Sequence, residues 1–372
     1  MKFNLCIPTL FGLEGIVADE LAFEGGIKGA KADNGRVFFE GDEDTLIWAN
    51  LWCRCGERVL VKLAEFDADT FEDLFQGVKS IKWEDYLPKD ANFPVKGYSL
   101  NSQLHSIPSC QSIIKKAVVN RLSEKYNISQ FEETGARYQI QFSIMKDRAM
   151  IFLDSTGVGL HKRAYRIETN EAPIRETLAA SLVKLARYRG GQEFLDPFCG
   201  SGTIAIEAGL ISMNKAPGMM RKFDAENWHF IPKEKWTNAR KHAIESVKKE
   251  SFPIFASDIL AINRDLSIDN ARRAGVLSTI RFDIADARKI DYKNKKGTLI
   301  ANPPYGERLF EKEECEELYS DFGRAIHDSE IKQFIITSHE QFEEFYGKKA
   351  DKRRKLYNGM IKCNAYMYYK KK

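Results

Sequence analysis

Two short stretches of this sequence hold residue types that could do chemistry. The first, Phe194-Leu195-Asp196-Pro197-Phe198-Cys199-Gly200-Ser201-Gly202-Thr203-Ile204-Ala205, runs from an apolar strand pattern through a glycine loop into a helix pattern. Glycines let the main chain approach a ligand closely, and free N–H groups at a helix start favour polar or anionic groups. Gly200, Gly202 and Ala205 satisfy the spacing of a dinucleotide fingerprint, but two features argue against a dinucleotide. Asp196 ends the strand just before the loop, where a carboxylate repels pyrophosphate and attracts an ammonium. The next strand-terminal acid, Asp258, comes 58 residues after Gly200, whereas dinucleotide folds place it ~20 residues on. A phosphate-binding Walker loop is excluded because no Gly-Lys-Ser/Thr follows. The expected ligand carries a cationic amine and a ribose but no phosphate, a description that S-adenosylmethionine (SAM) fits. Cys199 has no histidine nearby in sequence to activate it, so a packing or main-chain role is expected rather than nucleophilic attack.

The second stretch is Ala301-Asn302-Pro303-Pro304-Tyr305. Two consecutive prolines hold the chain extended and remove two N–H donors. The loop should therefore present an amide, a carbonyl and an aromatic face beside the glycine loop. An exocyclic amine needs these groups, because its lone pair is delocalised into the base ring. The Asn302 side-chain oxygen and the Pro303 carbonyl can accept its two hydrogens and direct the lone pair at a methyl group, while Tyr305 stacks on the base. Such stacking contributes ~1–3 kcal/mol per base.

Positioning these stretches requires a parallel sheet. From Ala172 onward, β-type segments recur at Glu193–Asp196, Pro253–Asp258, Ile280–Ala285, Thr298–Asn302 and Gln333–Ser338, mostly separated by helical stretches, the pattern of a doubly wound α/β unit. A helix over Ile174–Tyr188 precedes them. Arg354–Tyr357 and Ile361–Tyr368 flank Asn358-Gly359 and predict a closing hairpin. The earlier half reads as small mixed α/β units. Strands are expected at Phe3–Pro8, Arg36–Glu40, Arg58–Phe66 and Phe93–Leu100. Helices are expected at Leu10–Ala22, Asp42–Trp52, Thr70–Ser80 and Ser109–Tyr126, and a hairpin over Tyr138–Asp154 ends this region near Thr156.

The chain has 372 residues, enough for two or three domains. No run approaches the ~18–20 apolar residues of a spanning helix, and Met1 to Glu14 does not read as a secretory signal. Seven scattered cysteines fit a reducing cytosol, and with only Cys53 and Cys55 close together no metal site is expected. The net charge of +4 hides an asymmetry: residues 1–100 carry 11 basic and 18 acidic side chains, so the remainder holds a balance of +11. Basic residues gather at Lys115–Lys125, at Lys162–Arg166 and from Lys348 to Lys372, which suggests an anionic partner. The helical segment Trp228–Lys249 could grip that partner or cover the sheet edge.

The glycine loop and Asn302–Tyr305 together resemble class I SAM-dependent amino methyltransferases, and the likeness extends further. His161-Lys162-Arg163-Ala164-Tyr165-Arg166, followed by Ala172-Pro173-Ile174-Arg175-Glu176-Thr177-Leu178-Ala179, is similar to the segment that opens the catalytic domain of THUMP-containing RNA guanine-N2 methyltransferases. Ala216-Pro217-Gly218-Met219 with Arg221, Phe223 and Trp228 resembles that family's insertion, and Leu356-Tyr357-Asn358-Gly359 its last hairpin. Ala164 stands where the family often has glycine. The resemblance covers essentially the whole chain, with the bacterial 23S rRNA enzymes most alike. It implies an α/β architecture: a ferredoxin-like piece over 1–56, a THUMP RNA-binding domain over 57–156 and a Rossmann-like SAM-dependent methyltransferase domain over 157–372.

Carried over by position, the resemblance implies that Asp196, Pro197, Phe198, Cys199, Gly200, Ser201 and Gly202 line the methionine end of SAM. Asp258 would hold the ribose, Asp286 the adenine amine, and Asn302, Pro303, Pro304 and Tyr305 the target base. Lys162, Arg163 and Arg166 would contact RNA, either 23S rRNA or a ribosome precursor. The same loop also serves adenine-N6 and protein-glutamine amines. A tRNA guanine-N2 enzyme and a non-catalytic RNA-binding assembly factor are the further alternatives.

Overall fold

In the computed structural model, which describes residues 1–166, 174–249, 253–293, 295–306 and 312–369, the strands gather into two seven-stranded sheets. The first is built from β1 (Phe3–Pro8), β2 (Lys31–Asp33), β3 (Arg36–Gly41), β4 (Leu60–Asp67), β5 (Val95–Leu100), β6 (Ile140–Met145) and β7 (Arg148–Asp154), in the order β2-β3-β1-β4-β7-β6-β5. β4 pairs antiparallel with β1 on one side and β7 on the other, so one continuous sheet runs through residues on both sides of the 56/57 boundary. Helices α1 (Glu14–Phe23), α2 (Glu43–Trp52), α3 (Phe71–Lys79) and α4 (Ile107–Tyr126) pack their apolar stripes into one core with Leu5, Ile7, Val61, Ile151 and Leu153. The helix expected from Leu10 starts only at Glu14, because Gly12 takes a φ of +86°, outside the helical region. β2 is an exposed edge strand of three residues, too short and polar to show an apolar alternation.

The second sheet holds β8 (Phe194–Asp196), β9 (Ile254–Asp258), β10 (Ile280–Ile284), β11 (Thr298–Ala301), β12 (Lys332–Thr337), β13 (Lys352–Asn358) and β14 (Ile361–Tyr368). Their order is β10-β9-β8-β11-β12-β14-β13, with the first five parallel and β14 antiparallel to both neighbours. Helices α5 (Glu176–Leu185), α6 (Thr203–Ser212) and α8 (Ala261–Ala274) contribute to the core that contains Phe194, Ile254, Ile300 and Phe334. α9 (Lys312–Ile326) and α10 (Phe342–Tyr346) cover the core around Leu299, Ile335 and Tyr366. The strand order reverses between β8 and β11, so a crevice opens at the C-terminal ends of these two strands, where open α/β sheets bind ligands.

The segment between α6 and β9 packs against the N-terminal half. α7 (Lys233–Glu245) packs on α2, and Trp228, Phe230 and Trp236 join the core of the first sheet rather than that of the second. Trp228 stacks on Tyr138, with centroids 5.5 Å apart and planes 11° apart, and its indole N–H donates to the Arg137 carbonyl at 2.9 Å. Lys235 bridges to Asp44 at 2.8 Å, and the Gly218 amide donates to the Leu51 carbonyl at 2.9 Å. The insertion is thus a clasp that fastens the parallel-sheet domain to the N-terminal half.

Candidate functional site

Asp196, Asp258 and Asp286 stand at or just beyond the C-terminal ends of the adjacent strands β8, β9 and β10. The glycine loop leaves β8 and crosses to β9: the Cys199 amide donates to the Ser257 carbonyl at 2.9 Å, and the Gly200 amide to Asp258 Oδ2 at 3.0 Å. Gly202 opens α6 with a φ of +82°, and a Cβ there would lie 3.0 Å from the Ser267 Cβ. Both the left-handed conformation and the close approach require glycine. Three residues of α8 that the loop pattern did not reveal hold the loop in place. Ser267 Oγ donates to the Gly200 carbonyl at 2.7 Å, Asn270 Nδ2 to the Ser201 carbonyl at 3.0 Å, and Asn263 Nδ2 to Asp258 Oδ1 at 3.0 Å. Their spacing of i, i+4 and i+7 is a polar helical stripe, a signal present in the sequence.

Asp196 is the least satisfied group at this site. It is 1% exposed, and neither carboxylate oxygen makes a hydrogen bond of ordinary geometry among the described residues. Burial pushes its pKa up to about 8; the amides of Phe198 and Ala205 oppose the rise in part, and Asp258 adds to it. A buried acceptor without a donor is expensive, and an ammonium supplies both the donor and the countercharge. The residues present therefore fit a ligand with a cationic amine. Asp258 is half-buried and accepts from Gly200, Asn263 and the Leu260 amide. These bonds occupy about three of the roughly four acceptor positions of a carboxylate and leave one for a hydroxyl. Asp286 is gripped by Arg288, whose Nε and Nη2 lie 2.9 Å and 2.7 Å from its oxygens, and this pairing holds its pKa below the usual carboxylate value. Pro197 and Ser201 are buried, and Phe198 packs edge-on against Phe322. Cys199 is 6% exposed, and burial raises its thiol pKa well above the ordinary value, which keeps it protonated and unreactive.

Across the crevice, Asn302 follows β11 directly. The Tyr305 hydroxyl donates to Asn302 Oδ1 at 2.6 Å, and the Tyr319 hydroxyl donates to the Pro304 carbonyl at 2.5 Å. The loop is thus braced from α9, with Pro303 buried and Asn302 and Pro304 half-buried. Tyr305 does not stand free as a platform: it is half-buried, packs against the domain core and orients the Asn302 amide.

The cationic cluster at 161–166 departs from expectation. Arg163 is 3% exposed; it donates to the Leu160 carbonyl at 2.8 Å, to the Arg54 carbonyl, and to Glu207 Oε1 at 3.4 Å. Its guanidinium neutralises a buried carboxylate between the two halves and has no face for RNA. Arg166 also turns inward, bonding Thr203 Oγ1 at the start of α6 and the Ile174 carbonyl at 3.1 Å. Of the three, Lys162 alone is exposed. Lys115 and Arg121 are likewise committed, to Glu133 and Glu84. Ala172 and Pro173 of the connector motif lie outside the described residues.

This strand order, with the glycine loop and Asn302 following the two adjacent parallel strands that flank the switch point, is that of a Rossmann-like methyltransferase. Residues 163–367 match the RMKL-like methyltransferase domain, residues 4–60 the RlmL ferredoxin-like domain, and residues 68–154 the THUMP domain. The candidate RNA methyltransferase YpsC of Bacillus subtilis (strain 168) is 44% identical over 378 residues, covering 100% of this chain and 97% of that protein. The ribosomal RNA large subunit methyltransferase K/L of Psychromonas ingrahamii is 34% identical over 369 residues. That match covers 96% of this chain and 49% of the relative, so the chain spans about half the length of the K/L relative. A crystal structure of SMU.472, a candidate methyltransferase complexed with SAH, superposes with a TM-score of 0.94 at 37% identity, covering 100% of this chain and 99% of that one. The chain belongs to the RMKL-like methyltransferase family. Among the described residues, no helix is long and apolar enough to cross a membrane.

Proposed function

We propose that this protein methylates the exocyclic N2 amine of a guanosine in RNA, with 23S rRNA as the substrate and SAM as the methyl donor. The observation that carries the reading is the buried Asp196 carboxylate, with no hydrogen bond of ordinary geometry among the described residues, at the end of β8 beside β11, whose end carries the Asn302 loop. The SAH complex of the 37% identical relative and the ribosomal RNA named for the K/L relative support donor and substrate. Asp196 would hold the donor's ammonium, the Gly200–Gly202 main chain its methionine end, and Asp258 its ribose. Asp286 would reach the adenine amine with whatever acceptor capacity Arg288 leaves it. When bound, SAM supplies an electrophilic methyl group on a sulfonium.

The chain's own part is to bind and orient. Asn302 Oδ1, already fixed by the Tyr305 hydroxyl, and the Pro303 carbonyl accept the two amine hydrogens of the base, which leaves its lone pair free to react. Such positioning can supply up to ~7–11 kcal/mol of a barrier. RNA would dock on the THUMP region, residues 57–156, and on exposed cations such as Lys162.

Nucleoside mass spectrometry of separated 23S rRNA, 16S rRNA and tRNA, from cells with and without the gene, tests this. Loss of one N2-methylguanosine from 23S rRNA is expected. Loss from tRNA instead would move the substrate. No change in any pool, together with absent SAM binding, would return the protein to a non-catalytic RNA-binding role.

A further inference from the structure

The hairpin formed by β13 and β14 has no part in the site as described so far. β13 and β12 both pair antiparallel with β14, so β13 runs parallel to β12 and its C-terminal end emerges on the same edge of the sheet as Asn302. That end stands three strand positions from β11, on the order of 14 Å. Asn358 pairs with Ile361, and the turn between them is Gly359-Met360, one residue later than the sequence pattern places it, with Gly359 at a φ of +65°. The turn is tied to the base-holding loop: Asn358 and Cys363 lie against the Tyr305 hydroxyl, which in turn donates to Asn302.

Beyond this tie Met360 stands 96% exposed, more than any other large apolar side chain among the described residues. Its surroundings are cationic. From Lys352 to Lys362 the hairpin carries five lysines and arginines and no carboxylate. Arg353 pairs with Glu343 and Arg354 with the Gly12 carbonyl, but Lys355 and Lys362 are exposed on either side of the turn.

A bare apolar tip framed by cations matches one kind of partner, a nucleic-acid helix, whose phosphates take the lysines and whose base stack takes the apolar group. We propose that Met360 is a wedge that enters the RNA stack beside the target and fills the gap left when the guanosine swings out. The inference rests on the functional reading above. Apolar side chains, methionine among them, wedge between base steps, and extrusion costs most when the base is paired. The tie through Asn358, Tyr305 and Asn302 then links the turn that carries the wedge to the base-holding amide. Met360 does not touch the reacting atoms; it is a positioning residue.

The test uses the full chain with tritiated SAM and 23S rRNA from cells lacking the gene. The guanosine that accepts label is mapped and then placed in a stem–loop, either paired or opposite an abasic site. Met360→Ala should slow labelling of the paired guanosine about tenfold and that of the unpaired one less than about twofold, with SAM affinity unchanged. Met360→Leu should restore most of the rate. Equal rates for wild type and Met360→Ala on both stems, or an equal loss on both, would overturn the wedge and leave the methyltransferase reading standing. If wild type labels no RNA at all, that reading falls and the wedge with it.

Discussion

Replacing Asp196 with asparagine should make the ligand-free protein more stable and its SAM complex weaker. The carboxyl is buried with no hydrogen bond of ordinary geometry among the described residues, and its pKa climbs from 3.8 to about 8 in the folded chain. At ~1.4 kcal/mol per factor of ten, the ceiling on the destabilisation is about 6 kcal/mol at pH 8 and above. The sign follows from proton binding. Between pH 4 and pH 8 the folded state holds the proton more tightly than the unfolded state, so stability drains away as pH rises through that window and levels off above it. Asparagine keeps the shape and removes the charge, but its own unpaired amide costs ~1–3 kcal/mol, and water entering the crevice relieves part of the wild-type penalty. A net gain of about 2 kcal/mol at pH 8, shrinking towards pH 5, is expected from denaturant unfolding of the two proteins across that range. Calorimetry with SAM should show the opposite effect. Losing a charge-assisted hydrogen bond to the ammonium costs about 2–3 kcal/mol, or roughly 30- to 150-fold in affinity. Wild-type binding at pH 7 should also release a proton that the variant does not release. If the stability difference does not change between pH 5 and pH 8, or if the variant binds SAM as tightly as wild type, then Asp196 is not the ammonium site and the argument fails.

Asn302→Ala should lower turnover by about a hundredfold or more while SAM affinity measured by calorimetry survives; unchanged turnover would remove the base-holding role. Arg163→Ala strands the buried Glu207 and should cost about 3–5 kcal/mol of stability, whereas Lys162→Ala should leave the melting temperature alone and weaken RNA binding in a salt-dependent manner; filter binding and thermal melts separate the two. Ala164 occupies a left-handed conformation at a φ of +69°, which costs ~1–2 kcal/mol for an L-residue. Ala164→Gly relieves this strain at an entropic cost of ~0.5–1 kcal/mol, so a gain of about 0.5–1 kcal/mol is expected in denaturant unfolding, and a loss would refute the strain.

The parallel sheet was readable because its β-type runs are short, apolar and separated by helical periodicity. Asp196 and Asp258 end their strands where the local pattern put them. The misreadings share one cause: burial is decided by tertiary packing. Arg163 looked like an RNA contact because a count of cations says nothing about what lies above them, and here it is the Glu207 carboxylate. Trp228 and Trp236 left their role open for the same reason, since a helix that covers a neighbouring sheet and one that grips a ligand can share a sequence pattern. Ser267 and Asn270 act only because α8 passes under the glycine loop, a contact with residues nearly seventy positions away. Tyr305 was legible as an aromatic beside a base site, but its hydroxyl bond to Asn302, three residues earlier, is set by how the loop folds back on itself in packing against the domain core.

The clasp built by Trp228, Phe230 and α7 gives target choice a metric character. With the first sheet and the crevice locked together through Trp228 on Tyr138 and Lys235 on Asp44, the span from an RNA anchored on the N-terminal half to the Asn302 amide is constant. Under the proposed function, an RNA anchored on the first sheet would present its guanosine across that span, much as a caliper gauges width. Lengthening the clasp would reset the caliper: methylation would move to another guanosine, or cease where none falls at the new span.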